Sequence, residues 1–344
     1  MTPWEAIKSL LSLLVTDGVE TELLSEDLEM GIFDISRAHF MPEIDCETYV
    51  EIPDEDKLPG DGDIVGRLNR NMYGRRTAAH TWQDDWHKLL KNAGYIIGTG
   101  NAALFYNPIN NGRGGTHGDD FYVLGTRKTV DEMGATLRSK YDLRESYRLG
   151  FGDHCVREAR VLNRVVTLSH ENGRKAVRIE ADARHVDLII QDLGLDSTRT
   201  KPVVHPGAKL TQADVDKRQQ EPELDRRQAR RYRSSVMRAS FIAQDRPDIA
   251  EAVKSLAQFM SKPTAGAWQD LKHLWRYLLG QPYKELVYRQ QRMTSIIKAS
   301  VDSNHAGDLF TRKSTTGGVL RLGPVSYTHL RAHETPEHRV CRRL

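Results

Sequence analysis

A chain of 344 residues is long enough for two or three domains with cores of their own, and 39% hydrophobic and 28% charged residues fit a globular protein. No apolar run reaches the length of a membrane span and no signal-peptide succession opens the chain; the three scattered cysteines (Cys46, Cys155, Cys341) exclude a disulfide framework or a zinc knuckle. The expected setting is intracellular, cytoplasmic or nuclear, with no membrane partner and no secretion, and a net charge of +3 excludes an overall polycation.

Trp4, Ile7, Leu10, Leu11 and Leu14 recur at helical spacing and predict a helix over residues 4–15. Met30 and Ile32 lead into Asp34 as a strand. Trp82, Trp86, Leu89, Leu90 and Ala93 mark a second amphipathic helix, ended by Gly94. The stretch Asn110 to Thr116 holds three glycines and no large apolar side chain, so poor packing as a central strand is expected there. Residues 164–180 read as a hairpin turning at Asn172-Gly173. Val186, Ile189, Ile190 and Leu193 predict a short helix stopped by Gly194.

Residues 196–228, rich in charge, Gln and Pro, predict a polar basic linker. Between Arg199 and Arg233 ten Lys or Arg stand against five Asp or Glu, with Arg226, Arg227, Arg230, Arg231 and Arg233 crowded at the end. Such a cluster suits phosphate contacts along a nucleic acid; a solvated polar face is the plain alternative. Helices follow over Asp248–Met260 and Trp268–Leu279, the latter with Gly280 as its stop. Ile296–Val301 and Gly318–Leu322 read as the first two strands of a further domain. Residues 325–344 keep neither a period of two nor of 3.6 and are expected to be disordered, their histidines and Cys341 unordered by any second shell.

The candidate chemistry lies in His117-Gly118-Asp119-Asp120 and, upstream, Phe33-Asp34-Ile35-Ser36-Arg37-Ala38-His39-Phe40. Adjacent carboxylates on a regular strand point to opposite faces and converge only where the backbone turns, a freedom Gly118 supplies. With Asp34 arriving on a separate strand, three acidic groups could hold two divalent cations, the arrangement used for in-line displacement at phosphorus. An Asp-Asp pair alone is more often a solvated turn.

The order of motifs resembles the Pol polyprotein of copia-type LTR retrotransposons, from within the reverse transcriptase into the start of ribonuclease H. Phe33 to Phe40 resembles the first catalytic motif, and Thr48 to Pro53 the stretch that follows it. Leu68 through Trp82 is similar to the "L-Y-G-L-K-Q-A-P-R-x-W" block, and His117 to Asp120 stands at the Tyr-x-Asp-Asp box. Tyr232-Arg233-Ser234, Arg246-Pro247-Asp248-Ile249, Phe259 to Thr264, Trp275 to Gly280, Val301 to Gly307 and Arg312 to Gly318 follow in the family's order, so the resemblance covers roughly residues 3–324.

The resemblance implies an α+β fold: a reverse-transcriptase palm with truncated fingers over 1–195, the linker over 196–228, a helical connection region over 229–290, an incomplete ribonuclease H-like start over 291–324, and a tail from 325 that resembles translated sequencing adapter. It implies two-metal nucleotidyl transfer with Mg2+ or Mn2+, an RNA or DNA template with primer, and deoxynucleotide triphosphates. Asp34 and Asp119 would be the metal ligands, with Asp120 beside them as the third catalytic carboxylate. The amides of Ile35, Ser36, Arg37 and Ala38 would cradle the triphosphate. His39 and Thr77 would line the nucleotide site, and Asp302 would be a ribonuclease H remnant without its partner acids, so that ribonuclease H activity is expected to be absent.

Several residues depart from the pattern. His39 replaces an aromatic residue under the sugar, Thr77 a glutamine, and Ala79 a proline, and the box opens with His-Gly. Three readings therefore stand: an RNA-directed DNA polymerase, a decayed non-catalytic retroelement fragment with residual nucleic-acid binding, and a two-metal nuclease on the same carboxylates. The last leaves the later motifs unexplained. Oligomeric state is not written in the sequence.

Overall fold

Two sets of elements form separately along the chain, residues 1–157 and 158–344, in the computed structural model. It describes residues 2–18, 28–181, 184, 186–188, 200–207, 211–305, 307, 312–323 and 325–332. In the first unit α1 (Trp4–Leu13) buries Ile7, Leu10 and Leu11, the stripe that its spacing predicts. β1 (Leu28–Ile35) follows, then the small antiparallel pair β2 (Tyr49–Glu51) and β3 (Val65–Arg67).

After α2 (Ala78–Asn92) come β4 (Ile96–Ile97), β5 (Leu104–Tyr106), β6 (Arg113–His117), β7 (Asp120–Thr126), α3 (Arg127–Arg138) and β8 (Leu143–Gly150). The strands form one six-stranded antiparallel sheet in the order β4-β5-β6-β7-β1-β8. Alternation along β1 sends Phe33 and Ile35 into a core with Trp82, Trp86, Phe121 and Met133, drawn from α2, β7 and α3. The ring centroids of Trp86 and Phe121 lie 5.6 Å apart at 83°, the edge-on arrangement that aromatic quadrupoles favour. Met30, Ile32 and Asp34 alternate to the other face. Gly94, at φ 84°, ends α2 as expected, and the Thr126 hydroxyl caps α3 by accepting from Thr129 N.

The glycine-rich stretch corrects a sequence expectation. β6 is an interior strand, with Gly114, Gly115 and Thr116 buried between β5 and β7. A Cβ on Gly114 would stand 2.1 Å from the Tyr122 carbonyl oxygen and 2.7 Å from the Phe105 ring; one on Gly115 would stand 2.5 Å from Thr2 Oγ1. These neighbours already fill the space, so the lack of side chains lets the strand pack. Gly114→Ala is expected to cost about 2–3 kcal/mol through overpacking. Gly100→Ala, where nothing lies within 4 Å, should cost almost nothing. Urea unfolding of the two variants checks the contrast.

In the second unit β9 (Glu158–Val161), β10 (Arg164–Glu171), β11 (Arg174–Ala181) and β12 (Leu286–Arg289) form an antiparallel sheet in that order. β10 and β11 are the predicted hairpin, with Asn172 at φ 49° and Gly173 at φ 75°, the two left-handed residues of a type I′ loop. Helices α4 (Gln212–Gln219), α5 (Arg226–Ala243), α6 (Ala250–Ala257) and α7 (Ala265–Gly280) follow. α5, α6 and α7 bury Tyr232, Val236, Leu256, Leu271 and Trp275 in one core. Arg164 on β10 pairs with Asp245 just beyond α5 at 2.8 Å, both side chains buried, and lies 4.3 Å over the Phe241 ring.

The unit boundary at Arg157 replaces the one expected at 195, because β11, hairpin partner of β10, pairs with β12 more than a hundred residues later, in the second unit. The expected linker over 196–228 contains α4, fixed by a capping box between Thr211 and Asp214, and the first turn of α5. α7 runs through Gly280, the residue read as its stop. Most of the helix expected over Val186–Leu193 lies outside the described residues.

β13 (Ile297–Asn304), β14 (Thr315–Leu322) and β15 (Val325–Ala332) make a three-stranded antiparallel sheet. β15 corrects the expectation of disorder from residue 325: Gly323, at φ 64°, turns the chain so that Val325 pairs with Leu322, and the edge of β14 supplies the backbone partners. Residues 333–344 lie outside the described residues. The whole is of the α+β class, with antiparallel sheets and segregated helices. Among the described residues no helix is long and apolar enough to cross a membrane.

Candidate active site

Asp34 stands near the end of β1 and Asp120 at the start of β7, and the register pairs them directly. Ile35 N donates to Asp119 O at 3.1 Å, which makes Asp34 and Asp120 a non-hydrogen-bonded pair. Such pairs bring their Cα atoms to about 4.5 Å with side chains on one face. Between β6 and β7, His117 pairs with Asp120, leaving the two-residue loop Gly118-Asp119. Gly118 has φ 72°, so the loop opens on a left-handed residue, as type II′ hairpins require. The Trp82 indole Nε1 donates to Gly118 O at 3.0 Å and ties the loop to α2. The Gly118-Asp119 turn, which places Asp119 in the loop and Asp120 on β7, thus resolves the conflict that two adjacent carboxylates pose on a straight strand.

All three carboxylates are half-buried. Burial pushes the Asp120 carboxyl above its ordinary range, and the charges of Asp119 and Asp34 push it further. The Tyr122 hydroxyl, donating to Asp120 Oδ2 at 3.1 Å, and His117 act the other way. Burial and the Asp120 charge hold the Tyr122 phenol far above its usual value, so it remains a donor. Crowded, hard, anionic oxygens of this kind fit Mg2+ or Mn2+ and do not suit a softer ion. Among the described residues the three carboxylates do not gather as a set within 4.8 Å; Glu29, His154 and Cys155 do.

The residues after Asp34 divide. Ile35 N is committed to Asp119 O and Ser36 N to Asp142 O at 2.9 Å, so these two amides do not face a triphosphate as expected. Arg37 takes the left-handed conformation, φ 55° and ψ 40°, and starts a 3₁₀ turn over Ala38–Phe40. His39 N has no acceptor within the turn and is the amide a phosphate could use, whereas Ala38 is wholly buried, against the expectation that its amide cradles a triphosphate. Ala38 is buried in the core. The His39 ring stacks on Tyr73, centroids 4.6 Å apart at 19°. Thr77 sits at the N-cap of α2 without using its side chain as a cap. Asp302 is exposed on β13 of the second unit and accepts from Ser303 N.

Two further contributors, Tyr122 and Trp82, carry no motif that marks these roles in the sequence. The signal for Tyr122 is its position two residues beyond Asp120, on the same strand face.

No family model matches the chain. It is 24% identical over 322 residues to the retrovirus-related Pol polyprotein from transposon TNT 1-94 of Nicotiana tabacum, covering 88% of this chain and 22% of the relative. It is 26% identical over 311 residues to the corresponding polyprotein from transposon RE2 of Arabidopsis thaliana, covering 86% and 19%. Against that from transposon RE1 of the same plant it is 25% identical over 310 residues, again covering 86% and 19%. The chain spans about a fifth of the length of the curated relatives it matches.

Proposed function

We propose, from the chain's kinship with the Pol polyproteins of copia-type retrotransposons, that its first unit is the palm of an RNA-directed DNA polymerase. The observation that carries this reading is the register: Asp34 opposite Asp120, with Asp119 in the loop between paired strands. Asp34 and Asp119 supply the metal-ligand oxygens. Asp120, held by Tyr122, adds negative charge at the start of β7. Two divalent cations, when bound, lower the pKa of a primer 3′-hydroxyl and neutralise charge on the leaving pyrophosphate. The His39 amide would face the triphosphate, and the His39 ring on Tyr73 would form the floor beneath the sugar. Template, primer and deoxynucleotide triphosphates are the substrates.

The test is extension of a primed homopolymer template by the purified chain with Mg2+ or Mn2+. Metal-dependent extension is expected. Template binding without extension under either ion would leave the non-catalytic reading in its place, and nucleotide release without added triphosphates would indicate a nuclease.

His39→Tyr is expected to shift the ratio of incorporated deoxynucleotides to ribonucleotides in favour of deoxynucleotides by filling space a 2′-hydroxyl would use. An unchanged ratio would remove His39 from the sugar site.

A further inference from the structure

We infer that Glu29, His154 and Cys155 form a binding site for one borderline-soft divalent cation of the zinc class, separate from the aspartates. Glu29 is the second residue of β1, and Gly150 at the end of β8 pairs with it. The turn after β8 then folds His154 and Cys155 back over the same point. His154 Nε2 lies 2.6 Å and Cys155 Sγ 3.2 Å from Glu29 Oε2, and all three donor atoms lie within 4.8 Å of one another. Tetrahedral zinc, with bonds of about 2.0–2.3 Å, sets its donors roughly 3.3–3.8 Å apart. An outward relaxation of about 1 Å or less would convert the hydrogen-bonded trio into a ligand set.

The donor types select the ion. One carboxylate oxygen, one imidazole nitrogen and one sulfur suit zinc or cobalt and exclude Mg2+ and Ca2+, which take oxygen. The surroundings fit as well. Arg148 Nη1 donates to the other oxygen, Glu29 Oε1, at 3.1 Å and to Asp131 Oδ1 at 2.7 Å. That orients Glu29 and leaves Oε2 to the ion, as second-shell donors do in metal sites. The charges close: a dication balances the Glu29 carboxylate and a Cys155 thiolate, while Arg148 balances Asp131. Glu29 is buried and the His154 side chain is 36% exposed, so water can take the fourth position from the open side.

Binding displaces the thiol proton to solvent and replaces the two hydrogen bonds that Glu29 Oε2 accepts. Without a metal, burial and the Glu29 carboxylate push the Cys155 thiol up to about 12, which disfavours the rival role of a nucleophilic thiolate. Glu29 precedes Asp34 by five residues of strand, about 17 Å at 3.3–3.4 Å per residue. The site would therefore pin β1 to the turn after β8 without touching the aspartates.

The experiment is titration of the chelator-treated full chain with Co2+, read by absorption. One ion per chain should give visible bands of four-coordinate cobalt and a near-ultraviolet sulfur-to-cobalt band, and Zn2+ should bleach both. Cys155→Ser should remove the sulfur band and, like His154→Ala, weaken binding roughly tenfold or more. Cys46→Ser and Asp34→Asn should leave the spectrum unchanged. If either ligand variant fails to fold, alkylation of Cys155 in the unaltered chain, mapped by mass spectrometry, should slow when Zn2+ is added. Absence of the sulfur band, its survival in Cys155→Ser, or alkylation indifferent to Zn2+ would overturn the inference.

Discussion

Asp34→Asn and Asp119→Asn are expected to abolish primer extension, and Asp34→Asn to raise the melting temperature measured in chelator. Each substitution removes a hard anionic ligand while keeping the side chain's shape. Losing several kcal/mol of charge stabilisation in the transition state corresponds to a rate loss of roughly 10³-fold or more. The stability effect runs the other way because Asp34 directly opposes Asp120, and like charges in such a pair cost about 0.2–1 kcal/mol. Divalent cation should raise the melting temperature of the unaltered chain more than that of Asp34→Asn, since an ion bound only by the folded state stabilises it.

Asp120→Asn should slow extension less and stabilise most clearly at high pH. Its carboxyl titrates above the ordinary value in the folded state, chiefly through burial. The ionised form therefore opposes folding. That penalty is absent below the unfolded carboxylate pKa, sets in as pH rises through the folded value, and persists above it. Thermal melts across pH, with and without Mg2+, test the whole set. Undiminished extension by Asp119→Asn would sink the site assignment, and a lower melting temperature for Asp34→Asn in chelator would sink the electrostatic account.

What could be read in advance was local. The stripe of Trp82, Trp86 and Leu90 places α2, Asn172-Gly173 places a hairpin, and Gly118 allows two neighbouring aspartates to converge. What escaped depends on partners distant in sequence. Gly114 and Gly115 look like weak strand residues until Tyr122, Phe105 and Thr2 occupy the space their side chains would need. The amides of Ile35 and Ser36 look free until Asp119 and Asp142 supply acceptors 84 and 106 residues away. α5 is an intermediate case. Its arginines read as a linker's end, yet Tyr232, Val236, Ala239 and Ile242 recur every three or four residues and are buried. The periodicity was present beneath the charge. The unit boundary at Arg157 escapes for the same reason as the glycines, because a hairpin's local signal does not say which later strand will pair with it.

Asp248→Ala is expected to cost about 3 kcal/mol. The Arg246 guanidinium is 3% exposed and donates from Nε and Nη2 to the two Asp248 oxygens, each at 2.9 Å. Tyr277 OH at 2.8 Å and Lys284 Nζ at 3.2 Å also donate to Asp248 Oδ2, so one carboxylate joins the start of α6 to α7 and the segment before β12. Removing it leaves a buried guanidinium without its counter-charge, which typically costs about 3–5 kcal/mol. The lower end applies because Asp248 is 25% exposed and Arg246 keeps contacts to the carbonyls of Gln281 and Pro282.

The pH dependence distinguishes this charge pair from simple packing. Burial works against the charged carboxyl, but Arg246, Tyr277 and Lys284 outweigh it and hold Asp248 well below the usual carboxylate range. A depressed carboxyl contributes stability that is present above its unfolded pKa, near 3.9, and is lost as pH falls through the folded value. Asp248→Asn retains the shape and loses the charge, so its deficit against the unaltered chain should be full at neutral pH and shrink below about pH 4. Urea denaturation at pH 7 and at about pH 2–3, below the unfolded carboxylate pKa, measures the difference. A deficit independent of pH would assign Asp248 a packing role in place of an electrostatic one.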